Sequence, residues 1–341
     1  MKRVPLVTLP EELIRPQRRE DARYLLGIDG GATKTLAAVL DIERGTLHVG
    51  RAGPSNEDAV GAKAAVQALL DAAGGALDGA GISERDLAAA VAAVAGTDTA
   101  SVTRHVHNAR GESWIVVNDV VGAWATATGG GPGVAAIAGT GSNVFGVGSG
   151  GRSWRTGGWG HLLGDEGSGY WLGIESIRAA LHDRDASGPP TALGAAACEF
   201  FERDTVEAVA SLVYSKPLTK GEIAGFAIET AKLAEQGDQV ACELFERGAA
   251  ELGGQVAAVI EQAGLEGAFP VGLIGSAYKA GEVFLAPLRR RIAQSAPDAE
   301  ISRVQMAPVG GSLLLAAKAC GQESRLDAKQ LTALIERALD G

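Results

Sequence analysis

The stretch YLLGIDGGATKTLAAVL, residues 24–40, reads as a buried strand, a turn of glycines and small hydroxyl residues, and a second strand. The same plan returns in GVAAIAGTGSNVFGVG, residues 133–148. Two hairpins of one design indicate a duplicated α/β architecture, one copy per domain with a cleft between them. A pair of ordinary hairpins in a glycine-rich chain would leave the same trace.

The pattern around each hairpin alternates in the α/β manner. Leu47–Gly50, Leu87–Ala95 and Trp114–Val117 read as further strands and Glu57–Leu77 as a helix. After the second hairpin come helical stretches at Tyr170–Leu181, Ala192–Arg203, Lys220–Ala234 and Asp238–Gln262, with strands at Val271–Ile274 and Ile301–Gln305. The last helix is the clearest: Leu331, Leu334, Ile335, Ala338 and Leu339 recur at i, i+3, i+4, i+7 and i+8, and Asp327 stands as its N-cap. The domains expected are an arm over 1–21, a first domain over 22–128 on which the C-terminal helix 325–341 packs, and a second domain over 129–324.

Composition narrows the function classes. The net charge of −10 opposes a phosphate-coating nucleic-acid binder, which needs a basic face. Residues 120–151 carry no charge, yet eleven glycines with Thr, Ser, Asn and Pro make them too polar for a membrane span. Cys198, Cys242 and Cys320 lie far apart, without metal or redox spacing. The N-terminal MKRVPLVTLPEELIRPQRRE lacks a secretory apolar core and reads as a mobile arm. A soluble cytoplasmic protein is expected. The 48 glycines, roughly twice the usual 7%, gather at the ends of apolar runs, where backbone approaches closely or turns.

Several of those ends carry chemistry. In Asp29-Gly30-Gly31-Ala32-Thr33-Lys34-Thr35 the glycines open backbone amides to an anion, Thr33 and Thr35 add hydroxyls, Lys34 adds charge, and Asp29 can hold hydrated Mg²⁺. No Gly-Lys-Ser/Thr occurs and a strand follows, so this is not a Walker A loop; an ordinary hairpin turn would have the same composition. Gly139-Thr140-Gly141-Ser142-Asn143 is the matching turn, with Asn143 suited to a sugar hydroxyl or amide. Gly146, Gly148 and Gly151 satisfy GxGxxG, but SWRTGG follows where a dinucleotide fold needs a helix. Asp119 ends an apolar run and begins a helix, placing it either as an acceptor for a substrate proton or as an N-cap. The run GGWGHLLGDEGSG, 157–169, reads as a ligand-wrapping loop with Trp159 as an apolar wall and Asp165 as acceptor or helix cap. His161 reads as structural, and His105 and His107 lack the further ligands of a metal site. Gly275-Ser276 and the Pro308–Ser312 stretch are strand-to-helix turns, of a kind that can flank a base and ribose or simply turn the chain.

Together DGGATKT, Asn118-Asp119, GTGSN, GGWGHLLGDEGS and LIGSAYKAG resemble the N-acetylglucosamine kinase branch of the BadF/BadG/BcrA/BcrD ATPase family, over roughly residues 22–320. That family belongs to the superfamily of sugar kinases, actin and heat-shock chaperones. The resemblance implies two ribonuclease H-like domains with a central nucleotide cleft, ATP and Mg²⁺, and transfer of phosphate to the 6-hydroxyl of an amino sugar, N-acetylglucosamine first, with glucosamine or N-acetylmuramic acid as alternatives. By matching motifs, Gly30, Gly31, Thr33, Lys34, Thr140, Gly141, Gly275 and Ser276 should bind ATP and Asp119 should be the general base. Asn56, Ser142, Asn143, Gly158, Trp159, Gly160 and Asp165 should line the sugar site with Asp119. Ala32 stands where the family commonly has a third glycine, a costly replacement if that position needs a positive φ. A homodimer is implied. An ATPase activator carrying an iron–sulfur cluster, or a non-catalytic sugar sensor, is the alternative from a different class.

Overall fold

In the computed structural model, which describes residues 3–96, 99–110, 113–215 and 218–340, the first hairpin is strands β1 (Tyr24–Gly30) and β2 (Thr35–Asp41). β3 (Thr46–Ala52) extends it antiparallel, and β4 (Leu87–Val94) and β5 (Trp114–Asn118) add in parallel on the other side, giving the order β3-β2-β1-β4-β5. Leu25, Leu26 and Ile28 of β1 are fully buried because helices cover both faces of the sheet. Leu26 and Ile28 join the core with Leu69 and Ala73 of the helix Ala62–Ala80. Gly27, one residue out of phase, faces the helix Pro308–Ala319 so closely that a Cβ would lie 2.7 Å from the Leu313 amide nitrogen.

The second sheet comprises β6 (Gly133–Ala138), β7 (Ser142–Val147), β8 (Ser153–Gly157), β9 (Pro270–Ile274) and β10 (Glu300–Arg303), ordered β10-β9-β6-β7-β8. Counted from its own first strand, each sheet has the order 3-2-1-4-5. The echo between residues 24–40 and 133–148 is therefore a true structural repeat: both hairpins are strands one and two of the same topology. The chain divides into two compact units, residues 1–135, 146–154 and 304–341 in one, and 136–145 and 155–303 in the other.

Some elements differ from the sequence reading. The Glu57–Leu77 helix breaks at Gly61 (φ 79°) into Glu57–Val60 and Ala62–Ala80, and Lys220–Ala234 breaks at Phe226. The N-terminal arm, read as mobile, lies against its own unit. Leu9 and Leu13 are buried, the Ser153 hydroxyl donates to Val7 O (2.9 Å), and the Gln322 side-chain amide donates to Arg19 O (2.6 Å). A short apolar stretch within a charged segment suffices to anchor it. The final helix, Ala328–Asp340, starts at Asp327, whose carboxylate accepts from the Gln330 amide (2.9 Å), and packs on β3. Among the described residues, no helix is long and apolar enough to cross a membrane.

Candidate active site

In the first unit, three parallel neighbours end together: the register sets Asp29 opposite Ala93 and Val94 opposite Asn118. Side chains beyond the carboxyl ends of parallel strands face the usual ligand position of an α/β sheet. Asp119 is the first residue of the helix Asp119–Thr128, but the cap is Asn118, whose Oδ1 accepts from the Val120 amide (3.3 Å) while its Nδ2 donates to Gly96 O (3.0 Å). Asn118, not Asp119, thus caps the helix. Burial, reinforced by the nearby Asp119 charge and opposed by Lys34, pushes the half-buried Asp29 carboxyl up to about 6. Two carboxylates that repel in this way suit a divalent cation. Magnesium takes one or two protein carboxylates and completes its shell with water and phosphate, so Asp29 and Asp119 fit it without a third acidic ligand.

The β1–β2 turn is braced from below. The Thr35 hydroxyl, expected to face an anion, is buried and donates to Gly53 O (2.7 Å), with the Ser55 hydroxyl in hydrogen-bond contact at 2.8 Å, and the Ser55 amide donates to Gly31 O (3.0 Å). Thr33 and Lys34 remain exposed and open to a ligand. Ala32 is not among the residues with positive φ, so alanine costs nothing there. The same bracing delivers Asn56, whose side chain does not cap the following helix and whose buried Oδ1 has no hydrogen-bond partner among the described residues. A buried, unpaired amide oxygen calls for a donor from a ligand.

In the second unit the β6–β7 turn is tied to the helix Gly169–Arg184: the Gly169 amide donates to Gly139 O (2.8 Å) and the Tyr170 amide to Thr140 O (3.2 Å). Thr140 itself is exposed. Asp165 is not the cap of that helix; Ser168 is, accepting from the Trp171 amide (3.2 Å). Asp165 is buried at φ 63°, a strained setting for a residue other than glycine, and its Oδ1 accepts from the Ser142 amide (3.1 Å). The Ser142 hydroxyl donates to Glu166 O (2.9 Å), so both Ser142 donors brace the one loop that follows β8.

Arg155 of β8, which sequence reasoning missed, organises the rest: its Nε donates to Asn143 Oδ1 (3.2 Å) and its Nη2 to Gly158 O (2.8 Å). An arginine in the strand leading into a glycine run was the available signal. Trp159 stands 60% exposed beside the exposed Leu162 and Leu163, and Gly160 adjoins it at φ 81°. His161 packs edge-on against Tyr170.

Thr140 and Ser276 also line one pocket of about 410 Å³ within this unit, with Lys279 as its one charged side chain among the described residues. Gly275 joins the turn to β6 at φ 126°, where a Cβ would sit 2.2 Å from Ala138 O. Backbone cannot yield there as a side chain can. Gly275→Ala is expected to cost about 3 kcal/mol, read from urea unfolding midpoints, against about 1 kcal/mol for Gly267→Ala, where the φ is also positive but space is open. Equal costs would refute this reading of the Gly275 contact.

Two sheets with one repeated topology place the protein in the fold of the sugar kinases and actin-like ATPases. The chain belongs to the BadF/BadG/BcrA/BcrD ATPase family, whose profile matches residues 26–316. It is 33% identical to the N-acetylmuramic acid/N-acetylglucosamine kinase of Clostridium acetobutylicum over 70% of this chain and 80% of that one. It is 30% identical to the N-acetyl-D-glucosamine kinase of Dictyostelium discoideum over 85% and 97% of the two chains. A solved structure from Chromobacterium violaceum, described as a candidate N-acetylglucosamine kinase, shares the fold with a TM-score of 0.66 at 24% identity, covering 87% of this chain and 99% of that one.

Proposed function

We propose that the protein is an ATP-dependent kinase that phosphorylates the 6-hydroxyl of N-acetylglucosamine. The observation that carries this reading is the Asp119 carboxylate at a strand end beside Asp29, with its neighbour Asn118 doing the capping. Asp119 takes the proton of the sugar hydroxyl as its oxygen bonds to the γ-phosphorus; the bond from that phosphorus to the β,γ-bridging oxygen breaks, and ADP leaves with the electron pair. Asp29, beside Asp119, would hold Mg²⁺, which would supply charge neutralisation on the phosphates. In the first unit Gly30, Gly31, Thr33 and Lys34 serve the phosphates and Asn56 accepts a hydrogen bond from the sugar. In the second unit Thr140, Gly141, Gly275 and Ser276 serve the nucleotide. Asn143, Gly158, Trp159, Gly160 and Asp165 serve the sugar, and Ser142 braces the loop that follows β8.

The similarity to a kinase named for both N-acetylmuramic acid and N-acetylglucosamine keeps the former as a second substrate. Release of ADP with Mg-ATP is expected to be fastest, by kcat/KM, on N-acetylglucosamine when the three amino sugars are compared. No turnover on any of them would overturn the proposal.

A further inference from the structure

We propose that the pocket lined by Thr140, Ser276 and Lys279 does not read the identity of the base, so that GTP and ITP serve as phosphoryl donors alongside ATP. This rests on the kinase reading of the same site and goes on to its donor specificity. A base is read by hydrogen bonds. Guanine offers N1–H and N2–H donors, which a carboxylate or a pair of free carbonyls accepts; adenine offers a 6-amino donor and an N1 acceptor. Among the described residues, none of the side chains lining this pocket carries a carboxylate, amide, imidazole or guanidinium; Thr140 and Ser276 bring only hydroxyls.

Over much of the wall the backbone offers little more, because it is helix face; the β6–β7 turn at Thr140 and the turn Ser276–Ala280 complete the lining. Leu172, Ala224, Ile228 and Phe245 come from the helices Gly169–Arg184, Lys220–Gly225, Ala227–Glu235 and Gln239–Ala263, whose internal carbonyls and amides bond to one another. Even the break at Phe226 is closed: its amide donates to Ile223 O (3.1 Å) and its carbonyl accepts from the Thr230 amide (3.1 Å). The remaining lining is glycine and alanine, small residues that leave room for either purine. Lys279, exposed and flexible, is a point charge suited to phosphate and equally tolerant of any base. A site that hydrogen-bonds its ligand can reject an analogue by 10⁴ or more, whereas an apolar wall separates near-isosteres by about 10–200-fold.

Two measurements test this. Titration calorimetry of the sugar-free protein with ADP, GDP and IDP should give dissociation constants within about two hundredfold of one another, and kcat/KM for ATP, GTP and ITP with N-acetylglucosamine should show a spread no wider. A gap beyond about two hundredfold between ADP and GDP or IDP overturns the inference. If ADP binds but no sugar is phosphorylated, the kinase reading fails while the diphosphate series still decides the question of the base. If no diphosphate binds, the pocket is not a nucleotide site and the inference falls. Ile228→Trp ties the result to this pocket: Ile228 is 61% exposed, so the fold tolerates the larger ring, which would occupy the base position. The variant should weaken ADP, GDP and IDP alike by tenfold or more, and unchanged affinities would refute the assignment.

Discussion

Replacing Asp119 with asparagine should lower kcat for N-acetylglucosamine phosphorylation by about a thousandfold, within the range that general-base removal produces. The substitution preserves shape, and the helix start at Asp119–Thr128 does not depend on its carboxylate because Asn118 provides the cap. A first-turn acid favours the helix dipole by well under about 1 kcal/mol, and losing it is offset by the relief of repulsion on Asp29. The variant should therefore unfold within a few degrees of the parent. ADP affinity measured without Mg²⁺ should change less than threefold, which separates a lost base from a lost binding site. Turnover within tenfold of the parent would remove Asp119 from the chemistry.

The hairpins, the strands that follow them and the final helix were legible because each is local: apolar runs bounded by turn residues, or a stripe at helical spacing. What neighbours what was less so. β9 enters the second sheet beside β6 across more than a hundred residues of mostly helical chain, and nothing in the Pro270–Ile274 run says which strand it joins. β8 escaped notice because Ser153–Gly157 is a polar edge strand with no alternation. The site was legible as residue types at glycine-rich strand ends. It was not legible as a set of partnerships: Thr35 turned inward to Ser55, Asn118 instead of Asp119 capping, and Ser168 instead of Asp165 capping all depend on side-chain directions that spacing does not encode. The proximity of Asp29 on β1 and Asp119, which directly follows β5, with β4 between the two strands, is likewise a product of sheet order.

That proximity makes Asp29 a residue whose removal should raise stability and destroy function together. Its folded carboxyl titrates near 6, above the ordinary 3.8, because burial and the Asp119 charge disfavour the ionised form. The folded protein therefore holds this proton more tightly than the unfolded chain, and the stability contributed by the protonated group is full below about pH 4 and lost as pH rises through 6. Above that range the charge costs the nucleotide-free protein about 2 kcal/mol, taking each pKa unit as about 1.4 kcal/mol and allowing for partial solvation. Asp29→Asn removes the cost. Its Tm should exceed that of the parent at pH 7.5, with the gap closing toward pH 4, since every other titrating group is common to both proteins. Magnesium reverses the comparison: with Mg-ATP the parent gains the free energy of holding the cation and the asparagine variant does not, so the parent should be stabilised more and the variant should lose at least a hundredfold in kcat. Equal Tm values at pH 7.5 would mean that Asp29 carries no such strain, and full turnover by the variant would remove it from cation binding. A carboxylate kept at the expense of apo-state stability is what a site awaiting a cation and a phosphate ester requires.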